Sequence, residues 1–533
     1  MVTRLRSIAL YTGLVCLLVP ALAAAQTSVA NTPNTVTAVR IEGNTLLADP
    51  VLARLAFDVV GTTPDLSALN ALAARIQGAY RDAGYGGVVA YVPAQEVVDG
   101  AVVVRVVEGK LAAVRVSGNT HFSTANIRAG LGHLQEGATP RVRAIDRDIQ
   151  LTNSNPAKHV NVSLSAGARP GEIDADVNVT DDDPVQYLVG YNNTGNGMTG
   201  RHRLSIGIEH ANLFDLDHVG TLQYQTSPEN PGRVRIFSGG YRVPLYAHAA
   251  SFDAFVAHST VNNGTTATTV GPLTFTGRGT IIGLRANRHL DRIGEYDHQL
   301  TLGLDRRDYR DDCAIGDFGA AGCGSAAVDV TTVPVSLSYT GQLSGSGYAY
   351  GFNGGLSVNA GGSAARTFEA ARAGAKRRYV LSRVSVFAQK QVLASVALHA
   401  RAEAQYSAHA LISAEKFGIG GANSVRGYAE RELSGDSGLL LRGEASAASI
   451  EWAQGIRLRP YAFIDHGRVT NRGDLPCRGV ASTSCQLTGA GIGARLSLRK
   501  RANASLDVAR AMEDGASSEQ GDVRAHLALN LAF

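Results

Sequence analysis

The sequence predicts two small α+β repeats followed by a 16-stranded antiparallel transmembrane β-barrel. Three observations carry this expectation. The chain opens on a secretory leader, a strand–turn–helix string occurs twice before residue 183, and from Val185 to Phe533 apolar and polar residues alternate with period two.

Arg4 and Arg6 form a basic start, Ile8 to Leu22 an apolar run, and Ala23-Ala24-Ala25 a small-residue cleavage pattern before Gln26. Residues 1–25 therefore read as a signal peptide; as a membrane anchor the run is too short, and Pro20 breaks it. Cys16 follows Val15, where a lipid-anchored leader places a small residue, so no lipid anchor is expected. Four cysteines follow, in two close pairs, Cys313 with Cys323 and Cys477 with Cys485. In an exported chain these predict two disulfide loops, and neither segment carries the His or C-x-x-C that a metal site needs. No metal or other cofactor is expected. The net charge is only +4, and the basic residues are scattered without interleaved aromatics, which argues against a nucleic-acid partner.

After a short segment, 26–35, the two repeats occupy 36–110 and 111–183. Ala38 to Leu55 reads AVRIEGNTLLADPVLARL, and Ala113 to Leu131 reads AVRVSGNTHFSTANIRAGL. Both begin with an alternating strand, turn at Gly-Asn-Thr and continue into a short helical segment. In the first copy Leu69, Leu72, Ile76 and Tyr80 share one helix face, with Asp65 or Ser67 available as the cap. Strands follow at Val88–Tyr91 and Ala101–Val107. The second copy matches, with a helix near Ala144–Leu151 and strands at Lys158–Ser165 and Glu172–Thr180.

Asp181-Asp182-Asp183-Pro184 ends this pattern, and residues 185–533 read as the barrel. Leu204, Ile206 and Ile208 alternate with Arg203, Ser205, Gly207 and Glu209. In the last segment Val523, Ala525, Leu527, Leu529, Leu531 and Phe533 oppose Arg524, His526 and Asn530. A soluble β-sandwich gives the same alternation, but sixteen such segments and a terminal aromatic favour a barrel with lipid outside and water inside. Phe533 resembles the outer-membrane barrel assembly signal, which implies the barrel-assembly machinery and outer-membrane lipid as partners. An even strand count puts both barrel ends in the periplasm, and both cysteine pairs then fall in outward connections.

The repeats, with Val106-Val107-Glu108-Gly109 closing the first, resemble POTRA (polypeptide-transport-associated) domains. The long connection between strands eleven and twelve, loop six (409–438), contains Val425-Arg426-Gly427-Tyr428. This is similar to the V-R-G-Y motif of the two-partner secretion transporters, the TpsB family of haemolysin and haemagglutinin secretion-activation proteins. Phe463, Asp465 and Gly467 match that family's F-x-D-x-G motif, and Tyr191-Asn192-Asn193-Thr194-Gly195 with Thr199-Gly200-Arg201 resembles its first barrel strands. Strand parity puts Asp465 on the lumen side with Arg457, Arg459, Tyr461 and Phe463, opposite Leu458, Ala462 and Ile464. The resemblance, which spans essentially the whole mature chain, implies that Arg426 reaches into the barrel to meet Asp465. It also implies periplasmic POTRA domains and export of a large secreted partner of the adhesin or haemolysin type, which carries an N-terminal secretion domain and crosses unfolded. Some members carry an N-terminal helix that plugs the barrel; with only about ten residues between Gln26 and Val36, none is expected here.

Enzyme-like strings are few. Gly435-Asp436-Ser437-Gly438 has a serine-protease look without a His and Asp placed beside it, and no catalytic residue is expected. Gly489-Ala490-Gly491-Ile492-Gly493-Ala494 has dinucleotide-loop spacing but runs on as a strand. Two other functions share parts of the pattern: a barrel-assembly insertase of the same superfamily, which typically has more POTRA repeats, and a passive porin or adhesin, which has no need of them.

Overall fold

The computed structural model describes residues 35–197, 199–261, 264–268, 271–275, 278–310, 328–473, 475–477, 482–498 and 501–533. The expected leader, the question of an N-terminal plug and the Cys313–Cys323 pair lie outside the described residues. The described chain forms two compact units, one of residues up to Ala79 with Ala90–Val107, the other of Tyr80–Val89 with Glu108–Phe533.

The first repeat runs strand Ala38–Glu42, helices Asp49–Ala56 and Leu66–Asp82, then strands Val88–Tyr91 and Ala101–Glu108. Its last strand is central and pairs in parallel with its first. Val102, Val104 and Val106 are buried on one face of that strand, and Leu52, Leu72, Ile76 and Tyr80 are among the buried helix positions. Asp65 caps the second helix, its Oδ1 accepting from Ala68 N–H at 2.8 Å. The repeated Gly-Asn-Thr turn has a steric cause. Gly43 has φ +88°, and a Cβ there would sit 2.2 Å from the Val106 carbonyl oxygen. Gly118, its counterpart, has φ +84° and the same clash at 2.3 Å with the Val179 oxygen.

The second repeat has the same order: Lys110–Ser117, helices Thr124–Gly130 and Val142–Thr152, Lys158–Ala166 and Glu172–Asp181. Leu111, Ile127, Ile145, Val160 and Val177 form its core. The Gly-Asn-Thr turn is tied down by Asp181, whose carboxylate accepts from the N–H groups of Thr120, His121 and Phe122 at 2.8–3.0 Å. Partial burial raises that carboxyl's pKa, but these hydrogen bonds outweigh it and hold the group below its ordinary range.

Sixteen antiparallel strands then close into a barrel, as the alternation predicts. The first eleven are Val185–Asn192, Arg203–Leu213, His218–Thr226, Arg235–Leu245, Ala250–Ser259, Arg278–His289, Tyr296–Arg310, Val330–Gly345, Tyr348–Gly362, Val380–Leu393 and Val396–Ser407, and the last three are Ser484–Leu498, Ala502–Ala511 and Val523–Ala532. The twelfth is interrupted, and its pieces Ser437–Ala447 and Ile450–Ala453 both pair with the thirteenth, Ile456–Thr470. Closure leaves no free sheet edge, which is what lets a sheet cross a bilayer. The last strand meets the first from Ala528 opposite Asn192 to Ala532 opposite Leu188, and Phe533 and Tyr187 exchange backbone hydrogen bonds at 3.0 and 3.1 Å. Ile206, Leu222, Leu337 and Ile492 point outward and are more than half exposed, forming the lipid face. Asp253, Asp305 and Gln225 point inward and are buried. Tyr296, Tyr339, Tyr348 and Tyr350 gather at the periplasmic ends of strands seven to nine, where an aromatic girdle belongs.

Two features were not anticipated from the sequence. Loop five, between strands nine and ten, contains a helix, Ala365–Ala371, and strand ten starts only at Val380. A hairpin, Gly264–Thr268 with Gly271–Phe275, extends the connection between strands five and six.

The second repeat is fastened to the periplasmic turns of the barrel by buried polar groups. Lys158, with no exposed side-chain surface, donates to Asp217 Oδ2 at 2.5 Å and to Asn126 Oδ1 at 2.8 Å. The Tyr246 hydroxyl donates to the same Asp217 oxygen, and Asn155 Nδ2 donates to the Ala211 carbonyl at 2.7 Å. Burial pushes the Lys158 ammonium below its usual range, against the upward pull of Asp217. Lys158→Met would leave Asp217 buried without its cation, a loss of about 3–5 kcal/mol at this junction. The expected result is faster proteolysis within 111–183 in isolated outer membranes, with the barrel's heat-modifiable migration unchanged; an unaltered digestion pattern would contradict the junction's role.

Candidate functional site

Loop six turns back into the lumen. Its arms pair as a short hairpin, Phe417–Ile419 with Leu433–Gly435. Ile419, Val425, Tyr428 and Leu433 pack against wall residues Leu440, Val469, Leu487 and Ala511. Leu440 faces the lumen and is buried, while its neighbours Leu439 and Leu441 face lipid. The barrel thus presents an apolar inner patch that only an inserted segment can cover.

The tip carries Arg426, which is 2% exposed. Its Nε and Nη2 donate to the two oxygens of Asp465 at 2.6 and 2.9 Å, a bidentate pair, and its backbone N–H reaches the same carboxylate at 3.2 Å. Nη1 lies 3.3 Å from Asp507 Oδ1 and 3.9 Å from Glu444 Oε2. The guanidinium carbon is 3.3 Å from the ring centroid of Phe463, so one face of the cation rests on an aromatic. Around this pair the charges balance. Arg442 Nε reaches Asp465 at 3.4 Å, Arg495 is paired with Glu444, and Arg495 also lies 4.1 Å over the Tyr461 ring, whose hydroxyl donates to Asp507 at 2.6 Å. Three arginines therefore meet three carboxylates, so the buried Arg426 and Asp465 sit within a locally balanced set of charges whose outer member, Arg495, is exposed.

The other motif residues shape this seat. Gly427 has φ +99°, and its N–H donates to His526 Nε2 at 3.1 Å, which requires that nitrogen to be unprotonated. The Tyr428 hydroxyl lies 2.9 Å from the Thr488 carbonyl oxygen and 2.8 Å from that of Glu513, and accepts from Glu513 N–H at 3.0 Å. A Cβ on Gly467 would come within 2.9 Å of Val425 Cγ2 and 3.0 Å of Ile419 Cγ2, so this glycine makes room for the hairpin's apolar side.

Several participants escaped sequence reasoning. Asp507, Glu444, Arg442 and Arg495 lie on strands twelve, fourteen and fifteen and carry no motif; their signal is a charge at an inward parity position. The glycine string of strand fourteen belongs here too. A Cβ on Gly489 would sit 1.9 Å from the Arg426 carbonyl oxygen, and one on Gly491 would sit 2.7 Å from Phe463 Cζ. What has dinucleotide-loop spacing is a lumen-facing stripe that admits loop six. Among the remaining predicted residues, Cys477, in the connection after strand thirteen, is disulfide-bonded to Cys485 at the start of strand fourteen, with Cα atoms 6.2 Å apart. Phe533 lies at the strand one–sixteen seam with its side chain exposed.

Residues 171–496 match the family described as haemolysin secretion/activation protein ShlB/FhaC/HecB. The chain belongs to this family. Residues 34–109 match the ShlB-type POTRA domain. Family membership puts the barrel in the outer membrane and the POTRA region in the periplasm. The heme/hemopexin transporter protein HuxB of Haemophilus influenzae is 27% identical over 164 residues, 30% of this chain and 29% of HuxB, so that alignment spans under a third of the relative's length. The outer membrane transporter CdiB of Escherichia coli is 25% identical over 469 residues, 83% of this chain and 74% of CdiB. In structure, CdiB from Escherichia coli aligns with a TM-score of 0.75 at 21% identity, covering 96% of this chain and 93% of that one. CdiB from Acinetobacter baumannii aligns with a TM-score of 0.70 at 17% identity, covering 95% and 91%. Both likenesses are of fold.

Gly489→Ala is expected to unseat the loop tip, because its methyl and the Arg426 carbonyl compete for one space. A Val425→Cys reporter should then react with a membrane-impermeant maleimide. Gly443→Ala, where the nearest atom to an added Cβ is 3.7 Å away, should leave the reporter protected. Equal labelling in both backgrounds would contradict the seat.

Proposed function

We propose that this chain is the outer-membrane pore of a two-partner secretion pair. It captures a large secreted partner of the adhesin or haemolysin type through its periplasmic repeats and passes it unfolded to the cell surface. The observation that carries this reading is the loop-six hairpin held inside the barrel by Arg426 on Asp465. A passive channel has no need of an internal element held by a buried, charge-balanced contact.

In this reading residues 36–110 and 111–183 are two POTRA domains. Each has a three-stranded sheet whose outer strands offer edges for strand addition, Ala38–Glu42 and Val88–Tyr91 in the first, Lys110–Ser117 and Lys158–Ala166 in the second. An extended segment at the partner's N-terminus can add backbone hydrogen bonds there without a preformed pocket. The periplasm supplies no ATP, so the direction of transport comes from the partner itself, through its folding outside the cell. Arg426 and Asp465 hold the resting position of loop six, Gly467 makes room for it, and Phe533 serves barrel assembly. The disulfide Cys477–Cys485 closes a small outward loop.

The proteomes of culture medium and outer membrane, compared with and without this gene, test the reading. The expected result is loss of one very large protein from the medium with outer-membrane barrels unchanged; broad depletion of those barrels would instead make this an assembly factor. Arg426→Ala is expected to abolish export while the barrel still assembles, because Arg442 remains beside Asp465 to offset its charge. Removing one partner of a buried pair costs about 3–5 kcal/mol, enough to shift the hairpin's resting position. Normal export by that variant would sink the assignment.

A further inference from the structure

Each residue of the string Gly435-Asp436-Ser437-Gly438 makes a specific contact. A Cβ on Gly435 would lie 2.7 Å from the Thr470 backbone nitrogen, and one on Gly438 would lie 2.2 Å from Phe417 Cδ1, so both glycines permit close approach. The Ser437 side chain bonds to the backbone of Ser407, accepting from its N–H at 3.1 Å. Asp436 is fully buried. Its carboxylate accepts from both terminal nitrogens of Arg372 in loop five, the second at 3.1 Å. It also accepts from Leu411 N–H in loop six at 2.8 Å and from Arg472 N–H in loop seven, the connection after strand thirteen, at 2.7 Å. Arg372 in turn donates to the Leu411 carbonyl at 2.5 Å and to Asn471 Oδ1 at 3.2 Å. One carboxylate therefore joins three outward connections.

Those connections occupy the outer end of the lumen. Phe368 of the loop-five helix, Tyr379, Leu411 and Ile412 are buried against Val330 and Leu381, which face inward from strands eight and ten. Beneath them Glu415, also buried, accepts from Arg307 at 3.0 Å and from the Tyr309 hydroxyl at 3.1 Å. None of these contacts involves Arg426 or Asp465.

From this arrangement we propose that Asp436 is a positioning residue for export. It binds loops five, six and seven into a single outer cap, closed by the Arg372–Asp436 pair, and this cap is a second latch separate from the Arg426 seat. The proposal rests on the export reading above. A chain leaving the lumen meets the cap after passing the hairpin, so loop five has to move away from loop six during transport. Because Arg372 is bidentate to Asp436 and bonded to two further groups, a lysine in its place keeps the charge but loses the fork.

The test uses the full-length protein in its membrane. In planar bilayers, Arg372→Ala is expected to raise the resting current and its open events, with Arg372→Lys intermediate. Cells carrying Arg372→Ala should become sensitive to vancomycin, which the closed cap excludes. The second arm joins Ala375→Cys with Ala410→Cys, a pair that shares a parallel β-bridge between loops five and six. Once oxidised, it should lose export and recover it on reduction, scored against the cross-linked fraction. Wild-type current in an assembled Arg372→Ala barrel, or undiminished export through the cross-linked cap, would overturn the proposal. If Arg372→Ala does not assemble, Arg372→Lys and the cysteine pair decide. The current arm uses no cargo, so it reads the latch even where the proteome comparison removes the export reading.

Discussion

A guanidinium can leave water only where acceptors and opposite charge wait for it, and the lumen of this barrel is built around that requirement. Arg426 is almost fully buried, and everything near it answers to its charge and shape: the Asp465 carboxylate across its fork, Asp507 and Glu444 beyond, the Phe463 ring against its face. The small residues follow from the same constraint. Gly467 and Gly489 keep the wall thin where the hairpin's side chains and backbone approach most closely. Without the buried pair the apolar side of loop six and the inward patch at Leu440, Val469 and Leu487 would have no reason to meet in one register.

Barrel closure makes such a seat possible. With every strand paired on both sides, backbone hydrogen bonds are satisfied by neighbours, and the lumen-facing side chains are free to be chosen for their chemistry. The same strands show lipid a continuous apolar face and show the interior arginines and carboxylates in pairs, such as Arg242 with Asp253 at 2.6 Å and Arg307 with Asp305 at 2.7 Å. At these positions each inward charge lies beside an opposite one.

Buried ions recur where one part of the molecule must hold another. Lys158 with Asp217 fastens the second repeat to the barrel turns, and Arg372 with Asp436 gathers the outward connections. Apolar packing alone would hold these parts less specifically, since it has no preferred direction, whereas a forked cation fits only one arrangement of acceptors. These contacts are also breakable in a cooperative way: removing one partner exposes the full desolvation cost of the other.

The sequence alone determined the architecture and the facing of side chains. Period-two alternation is a property of each strand by itself, so sixteen strands, their lipid faces and the inward position of Asp465 could be read without knowing any partner. The repeated Gly-Asn-Thr turns were equally local, each glycine being needed for one positive φ and one close carbonyl. What only the tertiary structure decided is which inward residues meet. Asp507 lies 81 residues from Arg426, and Asp436 lies 64 from Arg372. How far loop six descends decides that Arg426 reaches the level of Asp507 and that Gly489 faces its carbonyl. The loop-five helix at Ala365–Ala371 was hidden for a related reason, since it is a short segment held by Phe368 in a pocket made by strands eight and ten. Strand alternation is written along the chain, whereas contact between a loop and a wall depends on the depth and tilt that closure imposes, and no stretch of sequence contains that information.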